Sequence, residues 1–373
     1  MRASGVPSTL ALSLFITFAP PTQAALDQLT LPALISPRAA QSMLLGVALA
    51  GERIVAVGER GIIVHSDDRG ASWTQADVPL SATLTAVHFP TPEKGWAVGH
   101  DGVVLHTSDG GITWRKQLDG NRTNAMALEA ATEKEQAVRA AGDPDALTRA
   151  ELALDDARAA SKFGPSRPLL SVWFKNETEG FAAGSYGLLL RTTNGGADWA
   201  LWSDRIHNPD GFHFNAITAT PAGTLLIAGE AGHVHRSLDG GITWQSLPTG
   251  YKGQLYGALG VRNASGGEDL LAFGFGGNLF RLPAGAKDWA PVPSGTAKNL
   301  TGGLLHHGEP VLIAQDGQLL LGSDHGRRFK PVAGVPLPAA AIAPAPGGSG
   351  VAVSGIGGVK LVGIVHRTQE AKP

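Results

Sequence analysis

The chain has no cysteine. That excludes disulfides, thiolate metal sites, cysteine nucleophiles and a lipid-carrying cysteine at the end of an export signal. Neither sign of charge is in excess. The 30 Lys and Arg residues against 32 Asp and Glu leave a formal net charge of -2 over 373 residues. With no basic run beyond the pair Arg327–Arg328, the chain does not read as a binder of nucleic acid or of acidic membrane surfaces. Tyrosine is scarce, with only Tyr186, Tyr251 and Tyr256. Beyond the N-terminal 20 residues there is no run of 18 apolar residues, so no spanning helix is expected. Gly-x-Ser-x-Gly, Walker and dinucleotide fingerprints are missing in any context that would support them.

What is present begins with an export signal. Arg2 precedes the apolar stretch LALSLFITFA (Leu10–Ala19), which is too short to cross a bilayer, and TQA (Thr22–Ala24) supplies small residues for cleavage. Residues 1–24 are expected to be removed near Ala24, leaving a periplasmic protein, with secretion beyond the envelope as the alternative.

Glycine, at 50 residues, is the compositional outlier. Some of it marks a repeated octet: SDDRGASW (Ser66–Trp73), TSDGGITW (Thr107–Trp114), TTNGGADW (Thr192–Trp199) and SLDGGITW (Ser237–Trp244). Two worn copies follow, LPAGAKDW (Leu282–Trp289) and GSDHGRRF (Gly322–Phe329). The steps between final residues are 41, 85, 45, 45 and 40. The long step is one repeat plus an insertion, and a period of about 40–45 residues marks a blade array. A second landmark recurs before each octet: GERG (Gly58–Gly61), GHDG (Gly99–Gly102), GSYG (Gly184–Gly187), GEAG (Gly229–Gly232), GFGG (Gly274–Gly277), the variant AQDG (Ala314–Gly317) and GIGG (Gly355–Gly358). Short β-type runs flank each turn. Seven such units predict an all-β, seven-bladed propeller of four-stranded blades over residues 25–373. The last unit is one strand short, and residues near Leu26–Leu34 are expected to supply the missing strand and close the ring.

The insertion, residues 120–167, is rich in Ala, Glu, Lys and Arg, with an Asp-Pro start at Asp143. It predicts an α-helical hairpin between blades two and three. Its two readings are a tolerated surface insertion, and a lid or docking arm over the central pore.

Ser/Thr-x-Asp-x-Gly-x-Thr/Ser-Trp is similar to the Asp box, or bacterial neuraminidase repeat. The longer units GWAVGHDGVVLHTSDGGITW (Gly95–Trp114) and GFAAGSYGLLLRTTNGGADW (Gly180–Trp199) resemble the repeat of the photosystem II assembly and stability factor family. The resemblance implies a non-enzymatic propeller. Photosynthetic members bind a reaction-centre subunit, and exported relatives in non-photosynthetic bacteria are expected beside inner-membrane complexes such as exporters. Asp68, Trp73, Asp109, Trp114, Asn194, Trp199, Asp239 and Trp244 then have structural roles.

In a propeller blade the octet joins the third and fourth strands on one face. The Gly-x-x-Gly turns, the links between blades and the insertion lie on the other. The turn residues vary from blade to blade while their glycines persist, so the partner-binding candidates are Glu59, Arg60, His100, Asp101, Tyr186, Glu230, Phe275 and Gln315. The long link Ser203–Phe214 adds Arg205 and His207. The expected partner is a protein, a subunit of an envelope membrane complex. No catalytic residue, metal or cofactor is assigned. The alternative is a glycoside-binding or sialidase-like hydrolase, which would need an arginine cluster and a tyrosine nucleophile.

Overall fold

The computed structural model describes residues 27–364; the expected export signal lies outside them. Within this span are six four-stranded antiparallel sheets and one three-stranded sheet, each a meander in chain order. The innermost strand of each sheet contacts the innermost strands of its two neighbours, and that of blade one (Leu44–Ala50) packs on that of blade seven (Ala339–Pro344). The ring is therefore closed and seven-bladed, as predicted.

The second strand of each blade shows why the ring must close. Gly95–Gly99 (GWAVG) and Leu225–Gly229 (LLIAG) are buried at every position, with no polar face. Such a strand needs a sheet on either side. The core divides accordingly into seven clusters, one at each seam between neighbouring blades.

The octet clamps these seams. Thr107 Oγ1 donates to Asp109 Oδ1 and accepts from Gly111 N–H at 3.0 Å. Asp109 Oδ1 accepts from the N–H groups of Ile112 and Thr113, both at 3.0 Å, and Asp109 Oδ2 from the Thr113 hydroxyl at 2.6 Å. The turn folded this way drops Trp114 into the seam between blades one and two, with its indole N–H on Gly111 O at 3.1 Å and its ring edge-on to Phe89. Asp68 and Asp239 repeat the pattern, and Trp73, Trp199 and Trp244 each join the seam with the preceding blade. Trp289 and Phe329, from the worn copies, do the same. Asn194 shows what an amide does in this turn. Its Oδ1 accepts from Asp198 N–H, while its Nδ2 donates to Asp198 Oδ2.

The expectation that residues near Leu26–Leu34 complete blade seven needs correction. Among the described residues blade seven keeps three strands, Ala339–Pro344, Gly350–Gly355 and Gly358–Gly363. Residues 27–36 instead run beside blade one. Leu29 and Ala33 join the seam between blades one and two, and Ala33 N–H donates to Val78 O at 3.1 Å. Closure comes from face-to-face packing of Leu44, Ile54 and Ala56 on Ala343 and Ala352. An isolated antiparallel bridge between Met43 and Ile356 joins the two blades at the turn face.

The insertion is the predicted hairpin, with α1 Gly120–Ala141 and α2 Pro144–Phe163. α1 starts at Gly120, because the Asp119 carboxylate caps it by accepting from Asn121 and Arg122 N–H.

The octet carboxylates make stability acid-sensitive with a definite sign. Hydrogen bonds from Ser72 and Thr243 hold Asp68 and Asp239 down to about 2. Burial pushes Asp109 up, but the Thr113 side-chain and backbone bonds outweigh it and hold that carboxyl at about 2 as well. Their stabilisation is therefore complete above about pH 4 and is lost as pH falls towards 2. His235, buried beside Phe214, is lowered by desolvation to about 4. It resists the proton that the unfolded chain accepts near pH 6.5, so a first loss is expected between about pH 6.5 and 4. Thermal midpoints measured from pH 7 to 2 should fall in both windows. His235→Gln should shrink only the first. Asp109→Ala should cost about 1–2 kcal/mol in urea unfolding at pH 7 and Asp109→Asn less, the cost expected for a lost capping side chain.

Candidate functional site

The Gly-x-x-Gly turns are built alike. The second residue sends its N–H to the backbone oxygen just before, or at the start of, the blade's innermost strand: Glu59 to Met43, His100 to Thr83, Ser185 to Pro168, Glu230 to His213, Phe275 to Gln254. This brings two backbones so close that a Cβ on Gly58 would lie 2.0 Å from Met43 O. The first glycine is thus required by proximity. Its φ of -169° is extended backbone open to any residue.

The third residue carries the more informative signal. It is left-handed in blades one to five, and in four of them it is not glycine: Arg60 (φ 54°), Asp101 (57°), Tyr186 (55°) and Ala231 (53°). In blade five the position is Gly276. A non-glycine residue held left-handed costs on the order of 1 kcal/mol. Blades one, two and three accept that cost and display an arginine, an aspartate and a tyrosine.

The other candidates divide between presentation and structure. Tyr186 is 64% exposed and Phe275 53%. His100 and His207 are exposed. Arg205 lies over the Trp202 ring at 4.8 Å beside Asp204. Glu59 accepts from Met43 N–H at 2.9 Å, which ties it to the innermost strand. Glu230 accepts from His213 N–H and sits 3.9 Å from His213 Nε2, while the His213 ring lies 4.9 Å from Tyr186. Burial raises the Asp101 carboxyl above its ordinary range. Gln315 turns to the axis, where its Oε1 accepts from Asn299 Nδ2 at 3.0 Å.

That axial mouth was not anticipated. A cavity of about 460 Å³ is lined by Leu45, Thr85, Leu170, Asn215, Tyr256, Thr301 and Ala340, with Asn299 and Gln315. The first seven share one register position, the second residue of each innermost strand. In all seven blades the pairing with the second strand slips there. An extra, unpaired residue re-aims its side chain, here towards the axis. The spacing from the turn glycines would have located these positions; no residue type marks them. Ile356, 58% exposed in the blade-seven turn, was also passed over.

The hairpin belongs to this face. Its stems abut, since a Cβ on Gly120 would lie 2.7 Å from Pro165 Cβ. α1 packs on the His100–Gly102 turn and on the outermost strand of blade three (Ala200–Leu201), where Met126 and Ala130 meet Leu201. These contacts draw the hairpin towards the rim, whereas a lid would lie over the axial mouth.

The three tyrosines are dispersed. Tyr186 stands on a turn, Tyr251 packs on Phe280 at 5.6 Å, and Tyr256 lines the axial mouth. His233, just before the strand Val234–Ser237, and His235 on it stack 6.0 Å apart, and among the described residues no three metal-ligating side chains converge. No helix among them is long and apolar enough to cross a membrane.

Comparison with known proteins places these features in context. The model of a family described as photosynthesis system II assembly factor YCF48 matches residues 71–156 and 159–331, more than half of the chain. No curated protein matches. Among solved structures, YCF48 bound to a D1 peptide is 16% identical with a TM-score of 0.61, covering 88% of this chain and 95% of that one. YCF48 from Cyanidioschyzon merolae is 15% identical with a TM-score of 0.60, covering 88% and 97%. A GH74 enzyme from Niastella koreensis is 13% identical with a TM-score of 0.57, covering 86% of this chain and 52% of that one. At these identities the structural likeness speaks for the fold.

If the left-handed side chains are kept for recognition, replacing them with glycine should help the fold. Asp101→Gly and Tyr186→Gly are expected to leave stability unchanged or raise it by up to about 1 kcal/mol in urea unfolding. A loss beyond that margin would mean that these residues hold the turn together.

Proposed function

The chain belongs to the YCF48 family of photosynthesis system II assembly factors, and from that premise we propose that it is a non-enzymatic propeller that binds a protein partner through its Gly-x-x-Gly face. The observation that carries the reading is the run of left-handed turn residues Arg60, Asp101 and Tyr186 on adjacent blades, with Arg60 and Tyr186 exposed and Asp101 half-buried. Backbone strain at displayed side chains is a mark of functional positions. It is reinforced by the kind of ligand seen on a family structure, where YCF48 holds a D1 peptide. The hairpin adds a second surface at the edge of the same face.

The partner we propose is a subunit of a membrane complex in the cell envelope, such as an exporter. The N-terminal stretch of residues 1–24 supports export to that compartment, and the balanced charge suits a protein partner. A glycoside hydrolase reading rests on fold likeness to the GH74 enzyme alone, and the dispersed tyrosines do not favour it.

Affinity isolation from envelope extract tests the proposal. Wild-type protein should enrich a defined membrane-complex subunit, and the double variant Tyr186→Gly/Phe275→Ser should retain less than a tenth of it. Removal of residues 121–164 should leave a cooperatively folding propeller, because the stems already touch, and should weaken capture. Capture that survives both changes would overturn the assignment of the face. Turnover of fluorogenic glycosides, abolished by changing Tyr186 or Tyr251, would overturn the non-enzymatic reading.

A further inference from the structure

A groove of about 750 Å³ opens on this face beside blade one. Its walls include Leu31, Leu34, Ile35 and Ile62, with Glu59 and Arg60 at the turn. Leu34 and Ile35 are 78% and 74% exposed, an unusual state for two adjacent aliphatic side chains.

The backbone that carries them is bonded to blade one at three points. Ala33 N–H donates to Val78 O, Ser36 N–H to Gln75 Oε1, and Gln75 Nε2 to Leu34 O. The N–H groups of Leu34 and Ile35 have no partner among the described residues. Blade one therefore pins this segment and leaves two donors open. The charged pair at the turn is similarly divided. Glu59 is engaged with Met43 N–H. The Arg60 guanidinium has no carboxylate partner among the described residues, and its left-handed backbone holds the side chain at the groove.

We infer that the groove takes an extended segment of a protein partner, which pairs with the backbone at Ile35, packs apolar side chains against Leu34, Ile35 and Ile62, and sets a carboxylate on Arg60. Strand addition supplies an acceptor to one of the two open N–H groups, because adjacent N–H groups of an extended chain point to opposite edges, alternate side chains enter the apolar walls, and the carboxylate completes a charge-assisted pair. An acyl chain would fill the same walls and leave the Ile35 N–H and the arginine unmet. The inference rests on the turn face being the partner-binding face, and adds where on it an extended, acidic-apolar segment docks.

The test uses the full chain and a labelled decapeptide of alternating leucine and serine that ends in glutamate, against the same peptide ending in glutamine. In fluorescence anisotropy the wild type should prefer the glutamate peptide about fivefold, the upper range for an exposed ion pair. Arg60→Gln should bind the two equally. Leu34→Asp/Ile35→Asp should bind both at least tenfold more weakly, and Leu238→Ser on the opposite face should match wild type. All variants should keep the wild-type thermal midpoint. A preference that survives Arg60→Gln would overturn the inference. So would binding to phosphatidylglycerol vesicles but not to peptide, or self-association of the chain that depends on Leu34. If these results fail while capture from extract still depends on Tyr186 and Phe275, the groove inference falls alone. If that dependence is also missing, the proposed function falls with it.

Discussion

A four-stranded blade cannot bury both of its own faces. The second strands, such as Gly95–Gly99, are apolar on each side and completely enclosed, so every blade relies on two neighbours. The ring follows from that dependence, and so does the octet, whose turn sets an aromatic ring into the seam behind it. The geometry also explains why blade seven can lack a fourth strand. The seam between Ile54 and Ala352 is filled at the level of the first three strands, and the fourth lies outside it.

The same constraint separates the two faces. On the octet face the turn mostly repeats its carboxylate, its hydroxyl and its tryptophan, with Asn194 and Phe329 as departures, and even the exposed apolar residues recur, as Ile112 and Ile242 do at the same octet position. On the other face the glycines fix the backbone path and leave the residues between them open to variation. Blades one to three use that freedom for Arg60, Asp101 and Tyr186, and between blades two and three the chain adds a 22-residue and a 20-residue helix. Asymmetry on a near-symmetric ring is what recognition of a single partner requires.

Most of the fold was legible because its determinants are local and repeated. Octet spacing set the repeat length, the seven Gly-x-x-Gly turns set the blade count, and the long step between Trp114 and Trp199 located the hairpin. The candidate face was legible from the turn positions, though Glu59, Glu230 and Gln315 are tied into intramolecular hydrogen bonds that residue type does not reveal. The path of residues 27–36 was misread, because Leu29 and Ala33 suit an added strand and a blade seam equally well; only the tertiary fit to Val78 separates them. The axial ring escaped notice for a different reason. Its seven positions are set by a backbone bulge, and residues as unlike as Leu45 and Asn215 occupy equivalent places.

Site-specific photo-crosslinking addresses the central claim, that recognition lies on the face opposite the octets. A benzophenone side chain would be placed at position 186 on one face and at position 238 on the other, in full-length protein mixed with envelope extract. The account predicts a discrete partner adduct from position 186 and none from position 238. A partner adduct from position 238 alone would contradict it.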